Sequence, residues 1–451
     1  MKITFLGGTE TVTGSKYLVQ TKTTTIMIDC GLFQGYKWLR ERNWDEPLFD
    51  IKAIDAVILT HAHLDHSGYI PVLYKRGFRN PIYTHHATKE LCSILLPDSG
   101  HIQEDDAKFY KKHKITKREN PQALYTRAEA EQSLEIFETV DFEESFLVGD
   151  INIQLRSAGH ILGAASIIIE AEGKRIGFSG DVGRPDDIFI KPPVLLPELD
   201  LLLLESTYGN RQHGNADPVE QIAKVVNATA YKGGVILIPS FAVGRAQTLM
   251  HILESLKSQN RIPPLPVYLD SPMAINVSDI YCRYIEQHRL GKEQCHAFCK
   301  DITYTKSIED SKALVELTFP HIIIAGSGMA TGGRILHHMK RLLSDHRTTL
   351  LFTGYQAGGT RGAKLLEGVD SIKIHGKYIP CKAHVEVLDG LSGHADYIDL
   401  ENWLKATALN KNMPIQLVHG DPDALEGMKE HLRKTTNYDV EVARYRGVLT
   451  L

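Results

Sequence analysis

The segment Thr60-His-Ala-His-Leu-Asp-His-Ser-Gly68 decides the fold and the chemistry of this chain, since it brings three imidazoles and one carboxylate within six positions. It directly follows Ala56-Val-Ile-Leu59, an apolar run typical of a buried strand. Its first two histidines alternate along an extended backbone and can face one ion, whereas Asp65 and His66 lie in the next turn and can face a second. Imidazole and carboxylate ligands without thiolate predict an open, catalytic site for zinc, with manganese or iron as alternatives.

Further ligand-type residues follow other strand-like runs. The seven predicted metal ligands are His61, His63, Asp65, His66, His160, Asp181 and His419. We expect Asp181 to bridge the two ions and His419 to complete the ligand set of the second. Such pairs lie roughly 3.5–4 Å apart and share a hydroxide that acts as nucleophile. Asp29 ends a strand before Cys30-Gly31 and either holds a histidine by its other ring nitrogen or caps a turn.

Composition predicts a soluble globular protein. The chain has 451 residues, enough for two or three domains, and no run approaches the roughly 20 apolar residues of a membrane helix. The N-terminal run Met1–Gly8 turns polar too early for a signal peptide and predicts an edge strand, so we expect a cytoplasmic protein. Six cysteines without framework spacing predict free thiols, and Cys295 with Cys299 lacks the second pair expected of a zinc site.

The pattern of elements predicts one domain interrupted by another. Strand-like runs dominate up to about residue 200 and return after about 382, whereas the middle alternates strands with helices, as in a parallel sheet. We therefore predict a first domain built from residues 1–206 and 383–451, with residues 207–382 inserted.

Charge is divided in the same way. Residues 207–382 carry 21 Lys and Arg against 14 Asp and Glu, whereas the flanks carry 30 against 41, which favours a polyanion partner for the inserted part. The lysine-rich segment 103–120 is either a solvated helix face or a basic flap over the site.

With these residues in hand, the chain resembles the metallo-β-lactamase superfamily and, within it, the β-CASP nucleases, a group that includes bacterial and archaeal RNA-processing nucleases and the endonuclease subunit of the pre-mRNA 3′-end cleavage complex. Besides the His-x-His-x-Asp-His signature, the resemblance rests on several motifs: Gly31-Leu-Phe-Gln-Gly35, Phe178-Ser-Gly-Asp-Val-Gly-Arg184, Glu205-Ser-Thr-Tyr-Gly209, Pro239-Ser-Phe-Ala-Val-Gly-Arg245, Asp270-Ser-Pro-Met-Ala274, Ser327-Gly-Met-Ala-Thr-Gly-Gly-Arg334, Leu391-Ser-Gly-His-Ala-Asp396 and Val418-His-Gly420. It implies an α/β (α+β) fold: a four-layer αββα domain split by a parallel-sheet β-CASP domain.

The resemblance also implies a function. Three family motifs have counterparts in Glu205, His394 and His419, and a histidine at the third favours RNA over DNA. The implied activity is a zinc-dependent ribonuclease with two Zn²⁺ per chain, acting on single-stranded RNA and leaving 5′-phosphate and 3′-hydroxyl ends. A homodimer is a further expectation. Ala363 stands where many bacterial relatives carry a second arginine, so one contact of the family can be missing here.

The residues account for how hydrolysis can proceed. We assign catalytic roles to Asp65, Glu205 and His394, with His394 giving the leaving oxygen its proton and Glu205 orienting that imidazole. Glycine-rich turns that open helices can hold phosphate, although a tight turn also needs glycines. The candidate phosphate-binding residues are Arg245, Ser327, Gly328, Thr331 and Arg334. The alternatives are a DNA nuclease of the same family and, less favoured, a small-molecule hydrolase of the superfamily.

Overall fold

The computed structural model describes residues 1–113, 121–214, 216–354, 356, 358–388, 390–407, 409 and 412–451. The chain divides into two compact units. Unit 1 comprises Met1–Asp186, Ile190–Gln212 and His394–Leu451, and unit 2 comprises Asp187–Phe189 and His213–Gly393. The predicted domain boundaries after residues 206 and 382 remain predictions.

The first part of unit 1 is rich in strands. Its strands are β1 (Lys2–Gly7), β2 (Lys16–Gln20), β3 (Thr25–Ile28), β4 (Ala56–Ile58), β5 (Ile82–His85), β6 (Phe137–Val140), β7 (Ser145–Val148), β8 (Ile151–Ser157), β9 (Ala165–Ala171), β10 (Lys174–Phe178) and β11 (Leu201–Glu205). Its helices are α1 (Lys37–Glu41), α2 (Leu64–Ser67), α3 (Ile70–Lys75), α4 (His86–His113) and α5 (Arg127–Ser133). In the lysine-rich segment, Lys108, Lys111 and Lys112 are exposed on α4, and Lys114, Lys117 and Arg118 lie outside the described residues.

Unit 2 alternates helices and strands. Its elements are α6 (Pro218–Tyr231), β12 (Ile236–Pro239), α7 (Arg245–Ser258), β13 (Val267–Asp270), α8 (Pro272–Tyr281), α9 (Lys292–Lys300), β14 (Ile302–Tyr304), α10 (Ile308–Leu314), β15 (Ile322–Ala325), α11 (Ile335–Leu342), β16 (Thr349–Phe352), α12 (Arg361–Leu366), β17 (Ser371–Ile374), β18 (Lys377–Pro380) and β19 (His384–Val387). Six strands form one sheet in the order β14-β13-β15-β12-β16-β19, and every pairing in it is parallel. The predicted parallel sheet is confirmed.

The chain then returns to unit 1 with α13 (Tyr397–Ala406), β20 (Pro414–Val418), α14 (Pro422–Thr435), β21 (Asp439–Val442) and β22 (Val448–Thr450). Unit 1 contains two seven-stranded sheets, ordered β22-β1-β2-β3-β4-β5-β6 and β21-β20-β11-β10-β9-β8-β7. The expectation that β1 lies at a sheet edge is wrong: β22 pairs antiparallel with it and takes the edge, a contact between the two chain ends.

Burial explains how the sheets of unit 1 stack. In Leu201-Leu-Leu-Leu204 the first and third leucines belong to the core shared by both sheets, whereas the second and fourth face α13 and α14. Both faces of β11 are therefore buried, which is why its sequence is continuously apolar. On the other side, α4 contacts β5 and β6. Helix, sheet, sheet and helix follow one another, which confirms the four-layer αββα fold.

Two further expectations concern the whole chain. All six cysteines are free thiols, as predicted. Among the described residues, no helix is both long enough and apolar enough to cross a bilayer.

Candidate metal centre

Strand direction brings the predicted ligands of unit 1 together. In the second sheet, β10, β11 and β20 run parallel, and β8 shares their direction through the antiparallel β9. Parallel strands end at the same edge of a sheet. His160, Asp181 and His419 follow β8, β10 and β20, so their side chains meet at one edge. His61 follows β4 of the facing sheet, and the one-turn helix α2 carries Asp65 and His66.

The seven residues form two groups that share Asp181. One contains His61, His63, His160 and Asp181, the other Asp65, His66, Asp181 and His419, and within each group one potential ligand atom per residue lies within 4.8 Å of all the others. The two carboxylate oxygens of Asp181 divide between the groups. Oδ2 lies 3.4 Å from His61 Nε2 and 3.6 Å from His160 Nε2. Oδ1 lies 3.3 Å from His66 Nε2 and 3.2 Å from His419 Nδ1.

These atoms fit a pair of cations. His63 Nδ1 lies 3.1 Å from His61 Nε2 and 3.2 Å from His160 Nε2. Ligand atoms around a tetrahedral zinc are about 3.3 Å apart, because each lies roughly 2.0–2.1 Å from the ion. Among the described residues, Asp181 Oδ1 is buried without a hydrogen-bond donor, a costly state that a cation relieves.

Burial and neighbouring charge set the protonation of these groups. Burial, reinforced by His66, lowers the pKa of His61 well below its usual value, and burial lowers the pKa of His63, so both imidazoles are neutral ligands. Burial alone would raise the pKa of Asp181, but the imidazoles of His419, His66 and His61 hold it well below the usual range. Burial lowers the pKa of His66, but the Asp181 and Asp29 carboxylates outweigh it and raise that pKa well above its usual value. The site therefore offers neutral His61 and His63 nitrogens around an ionised carboxylate, and His66 must give up a proton when a cation binds.

Asp29 contacts both the backbone of the turn after β4 and the ring of His66. Its Oδ1 accepts from the Thr60 amide at 2.8 Å, which caps the turn after β4. Its Oδ2 lies 2.7 Å from His66 Nδ1, which leaves Nε2 of that ring facing Asp181. Thr60, which also donates its hydroxyl to Asp29 at 2.9 Å, was not singled out from the sequence.

Two glycines let the ligand loops approach neighbouring backbone. A Cβ on Gly31 would lie 1.6 Å from the Asp65 carbonyl oxygen, and one on Gly183 would lie 1.7 Å from the Gly159 carbonyl oxygen and 2.7 Å from the His160 amide. Both distances are far below van der Waals contact. Each loop is therefore positioned by a close approach that only glycine permits.

Glu205 and His394 form a pair beside the ligands. Glu205 is fully buried at the end of β11, and its Oε1 lies 3.1 Å from His394 Nδ1 while accepting from the Val182 amide at 2.8 Å. Burial lowers the pKa of His394, but the Glu205 carboxylate outweighs it, and the pKa is raised to about 9. His394 Nδ1 lies 4.0 Å from Asp181 Oδ2, so the pair adjoins the centre.

One further neighbour was missed by sequence reasoning. Thr207 Oγ1 lies 3.2 Å from His419 Nδ1, and the Thr207 amide donates to Glu205 Oε2 at 3.1 Å. The motif that begins at Glu205 contains this threonine and is the signal that could have identified it.

The predicted phosphate-binding residues lie in unit 2. The Thr331 amide donates to the Ser327 hydroxyl at 3.1 Å, and the Gly328 carbonyl accepts from the Gln356 side chain at 3.2 Å. Arg245 Nη1 donates to the Thr353 carbonyl at 2.5 Å. Their binding role remains a prediction.

Arg334 has strong internal partners. Its Nη1 donates to the fully buried Asp270 at 2.6 Å and to the Thr305 carbonyl at 3.0 Å. Asp270 also contacts His338 Nε2 at 2.6 Å and accepts from Ser311 at 2.5 Å. This network, which the sequence did not indicate, ties α10 and α11 to β13.

Comparison with known proteins agrees with this architecture. Residues 11–211 match the sequence model of the metallo-beta-lactamase superfamily, 246–365 that of the Beta-Casp domain, and 378–443 that of the Zn-dependent metallo-hydrolase RNA specificity domain. Ribonuclease TTHA0252 of Thermus thermophilus is 34% identical and covers 99% of both chains.

More distant proteins match over less of their length or at lower identity. The transcription termination factor FttA of Methanocaldococcus jannaschii is 32% identical over 93% of this chain and 67% of the length of that factor. The factor FttA of Methanosarcina mazei is 31% identical over 90% of this chain and 64% of its own length. The chain thus spans about two thirds of these archaeal proteins. A crystal structure of a protein of unknown function from Enterococcus faecalis V583 shares the fold, with a TM-score of 0.56, 14% identity and coverage of 100% and 99%.

The conserved architecture, the matched sequence models and the clustered His and Asp side chains lead to one assignment. The chain belongs to the β-CASP family of the metallo-β-lactamase superfamily and is a metal-dependent hydrolase.

Proposed function

We propose that the protein is a ribonuclease that hydrolyses phosphodiester bonds of single-stranded RNA with two zinc ions per chain. The observation that carries this proposal is the position of Asp181, whose two carboxylate oxygens each face a different set of imidazoles. Paired metal sites of this kind clamp the attacking and leaving oxygens of a displacement at phosphorus.

Several observations support RNA as the substrate. The relative that covers nearly all of this chain is named a ribonuclease, and residues 378–443 match an RNA specificity domain. The archaeal termination factors match only about two thirds of their length, so their role is a weaker guide. The positive charge concentrated in residues 207–382 suits a phosphate backbone.

We assign the ions to the two groups described above. His61, His63 and His160 would hold one ion, Asp65, His66 and His419 the other, and Asp181 would bridge them. Metal ions bound there supply Lewis-acid stabilisation of the phosphate charge and a water of lowered pKa as nucleophile. Asp29 orients His66 by accepting from its Nδ1, which directs Nε2 towards the site.

His394 is the proposed proton donor. Glu205 accepts from its Nδ1, which keeps the ring oriented and favours the protonated form. The bond from phosphorus to the 3′-oxygen breaks and that oxygen takes the proton of His394, while a water adds to phosphorus and releases one proton, which through solvent restores protonated His394. The products are a 3′-hydroxyl and a 5′-phosphate.

The activity is tested with one end-labelled RNA and a DNA of the same sequence, each incubated with and without a chelator. We expect chelator-sensitive cleavage of RNA with 5′-phosphate ends. Preferential cleavage of DNA would overturn the choice of substrate and favour the DNA nuclease of the same family. Turnover of small thioesters or lactams without nuclease activity would favour the small-molecule hydrolase.

The roles of the residues are tested by metal content. His394→Ala should retain two metal ions per chain and lose most activity, whereas Asp181→Ala should lose metal as well. Normal metal content in Asp181→Ala would contradict the bridging role. Sedimentation of the wild-type protein tests the expected homodimer.

A further inference from the structure

A ladder of alternating cations and aromatic rings begins in the interior of unit 1. The buried Lys16 ammonium lies 4.7 Å from the ring centroids of both Phe33 and Tyr69. It also donates to the carbonyls of Gly31 and Gly14. Phe33 is thereby held at a defined position.

The ladder continues to the surface through Arg42. Its guanidinium carbon lies 5.5 Å from the Phe33 centroid, 4.8 Å from that of Trp38 and 4.1 Å from that of Tyr445. The Arg446 guanidinium lies 5.3 Å from the centroid of the same Tyr445 ring. One arginine thus joins three aromatic rings from two distant parts of the chain.

Backbone contacts attach this ladder to the metal centre. Phe33 follows Gly31 by two residues, and the amide between them, that of Leu32, donates to the Leu64 carbonyl beside Asp65. The amide of Phe33 donates to Asn43 at 2.9 Å, and Asn43 donates back to its carbonyl at 2.8 Å, which fixes the segment that carries Arg42.

Tyr445 lies at the same sheet edge as a predicted metal ligand. It follows β21, which runs parallel to β20, the strand that ends just before His419. The Ala443 amide donates to the Leu417 carbonyl at 3.0 Å, which keeps the two strand ends side by side. The ladder therefore includes a residue, Tyr445, at the sheet edge where His419 follows its strand.

The outer members of the ladder are accessible. Trp38 is 54% exposed and its neighbour Tyr36 is 57% exposed. Arg40 and Arg446 are exposed, and among the described residues neither guanidinium has a carboxylate partner. Open ring faces beside such arginines suit stacked bases and their phosphates.

We propose that Trp38, whose ring lies beside the Arg42 guanidinium, stacks on a base of the single-stranded RNA that flanks the scissile phosphate. The inference deepens the proposed ribonuclease function and rests on it. It assigns part of the substrate-binding surface to unit 1, where sequence reasoning had placed none of the candidate phosphate-binding residues.

The experiment compares Trp38→Ala with the wild-type protein on two diesters. RNA binding is measured with an end-labelled oligonucleotide in proteins that also carry His394→Ala, so that the RNA is not cleaved. Turnover is measured in proteins that keep His394, on bis(p-nitrophenyl) phosphate, which has no base to stack. Loss of one stacked base weakens RNA binding roughly 5- to 150-fold. Turnover of the small diester should be unchanged, and Trp38→Phe, which keeps a ring, should restore most RNA affinity.

A matched control is Tyr74→Ala. Tyr74 is a half-buried ring on α3 of unit 1, and the Arg79 guanidinium lies 3.8 Å from its centroid, so it is a ring beside an arginine but not part of the ladder. Its loss should leave RNA affinity unchanged. Equal weakening by both variants would overturn the proposal, because it would show no preference for the ladder.

The outcomes separate the two hypotheses. Wild-type cleavage of RNA together with unaltered RNA affinity in Trp38→Ala would refute the stacking surface and leave the ribonuclease function intact. Failure of the wild-type protein to cleave RNA, with Trp38-dependent binding retained, would refute the ribonuclease function alone. If Trp38→Ala instead converts a dimer into monomers without changing RNA affinity, the surface is a self-association site and the proposal is wrong.

Discussion

Replacing Gly31 by alanine tests the close approach that positions the metal-binding loop. The added Cβ would lie 1.6 Å from the Asp65 carbonyl oxygen and 2.1 Å from its carbon, whereas real contacts of Cβ are essentially never under 3.0 Å. The Asp65 carbonyl oxygen must therefore move about 1.4 Å away from residue 31, which opens a gap between the two backbone segments. The atoms that must move are backbone, so no side-chain rotation can relieve the contact.

The cost follows from what borders the gap. The Cys30 amide donates to the His66 carbonyl at 2.7 Å and the Leu32 amide to the Leu64 carbonyl at 2.8 Å, and widening the gap stretches both bonds. Overpacking costs about 1–3 kcal/mol and each of the two weakened hydrogen bonds about 1 kcal/mol, so we expect about 3–5 kcal/mol in total. Because functional side chains must be held within about 0.5 Å, metal affinity should fall at least roughly 10-fold.

The assay measures bound zinc by elemental analysis and the melting temperature of the metal-free protein. Gly214→Ala is the control, because a Cβ there meets nothing within 4 Å. We expect reduced zinc content and a lower melting temperature in Gly31→Ala and no change in the control. Wild-type zinc content and stability in Gly31→Ala would refute the argument that this glycine is required by the approach of the loop.

Three further predictions concern the centre and the network of unit 2. Asp29→Asn removes the charge that holds His66 Nδ1, and should weaken metal affinity roughly 10- to 100-fold in a competition assay with a chelator; unaltered affinity would contradict the orienting role. Free metal at 100 times its dissociation constant stabilises the folded protein by about 2.7 kcal/mol per site, so removing the metal with a chelator should lower the free energy of unfolding by that amount. Calorimetry that finds equal stability with and without metal would contradict the metal centre. Asp270→Asn leaves Arg334 without its carboxylate and should destabilise the protein by about 3 kcal/mol in urea unfolding while zinc content stays normal; loss of zinc would show that the network acts on the centre.

Much of the fold could be predicted from local sequence. Alternating and continuous apolar runs depend on neighbouring residues alone, and the alternation of strands with helices predicted for the middle of the chain is present in unit 2. Pairing between distant segments could not be predicted in this way. The prediction that β1 forms a sheet edge was wrong because residues 448–450, at the other end of the chain, pair with β1 and cover that edge.

The sequence by itself determined the chemistry of the centre, because three histidines and an aspartate within six positions already specify nitrogen and oxygen ligands for a cation. Only the tertiary structure decided which atoms face each other: that Asp181 presents one oxygen to each group, that Gly31 admits the Asp65 loop, and that Arg42 joins Trp38 to Tyr445. The physical reason is that ligand identity is a property of each side chain, whereas a distance of 3 Å between residues hundreds of positions apart depends on how the sheets pack.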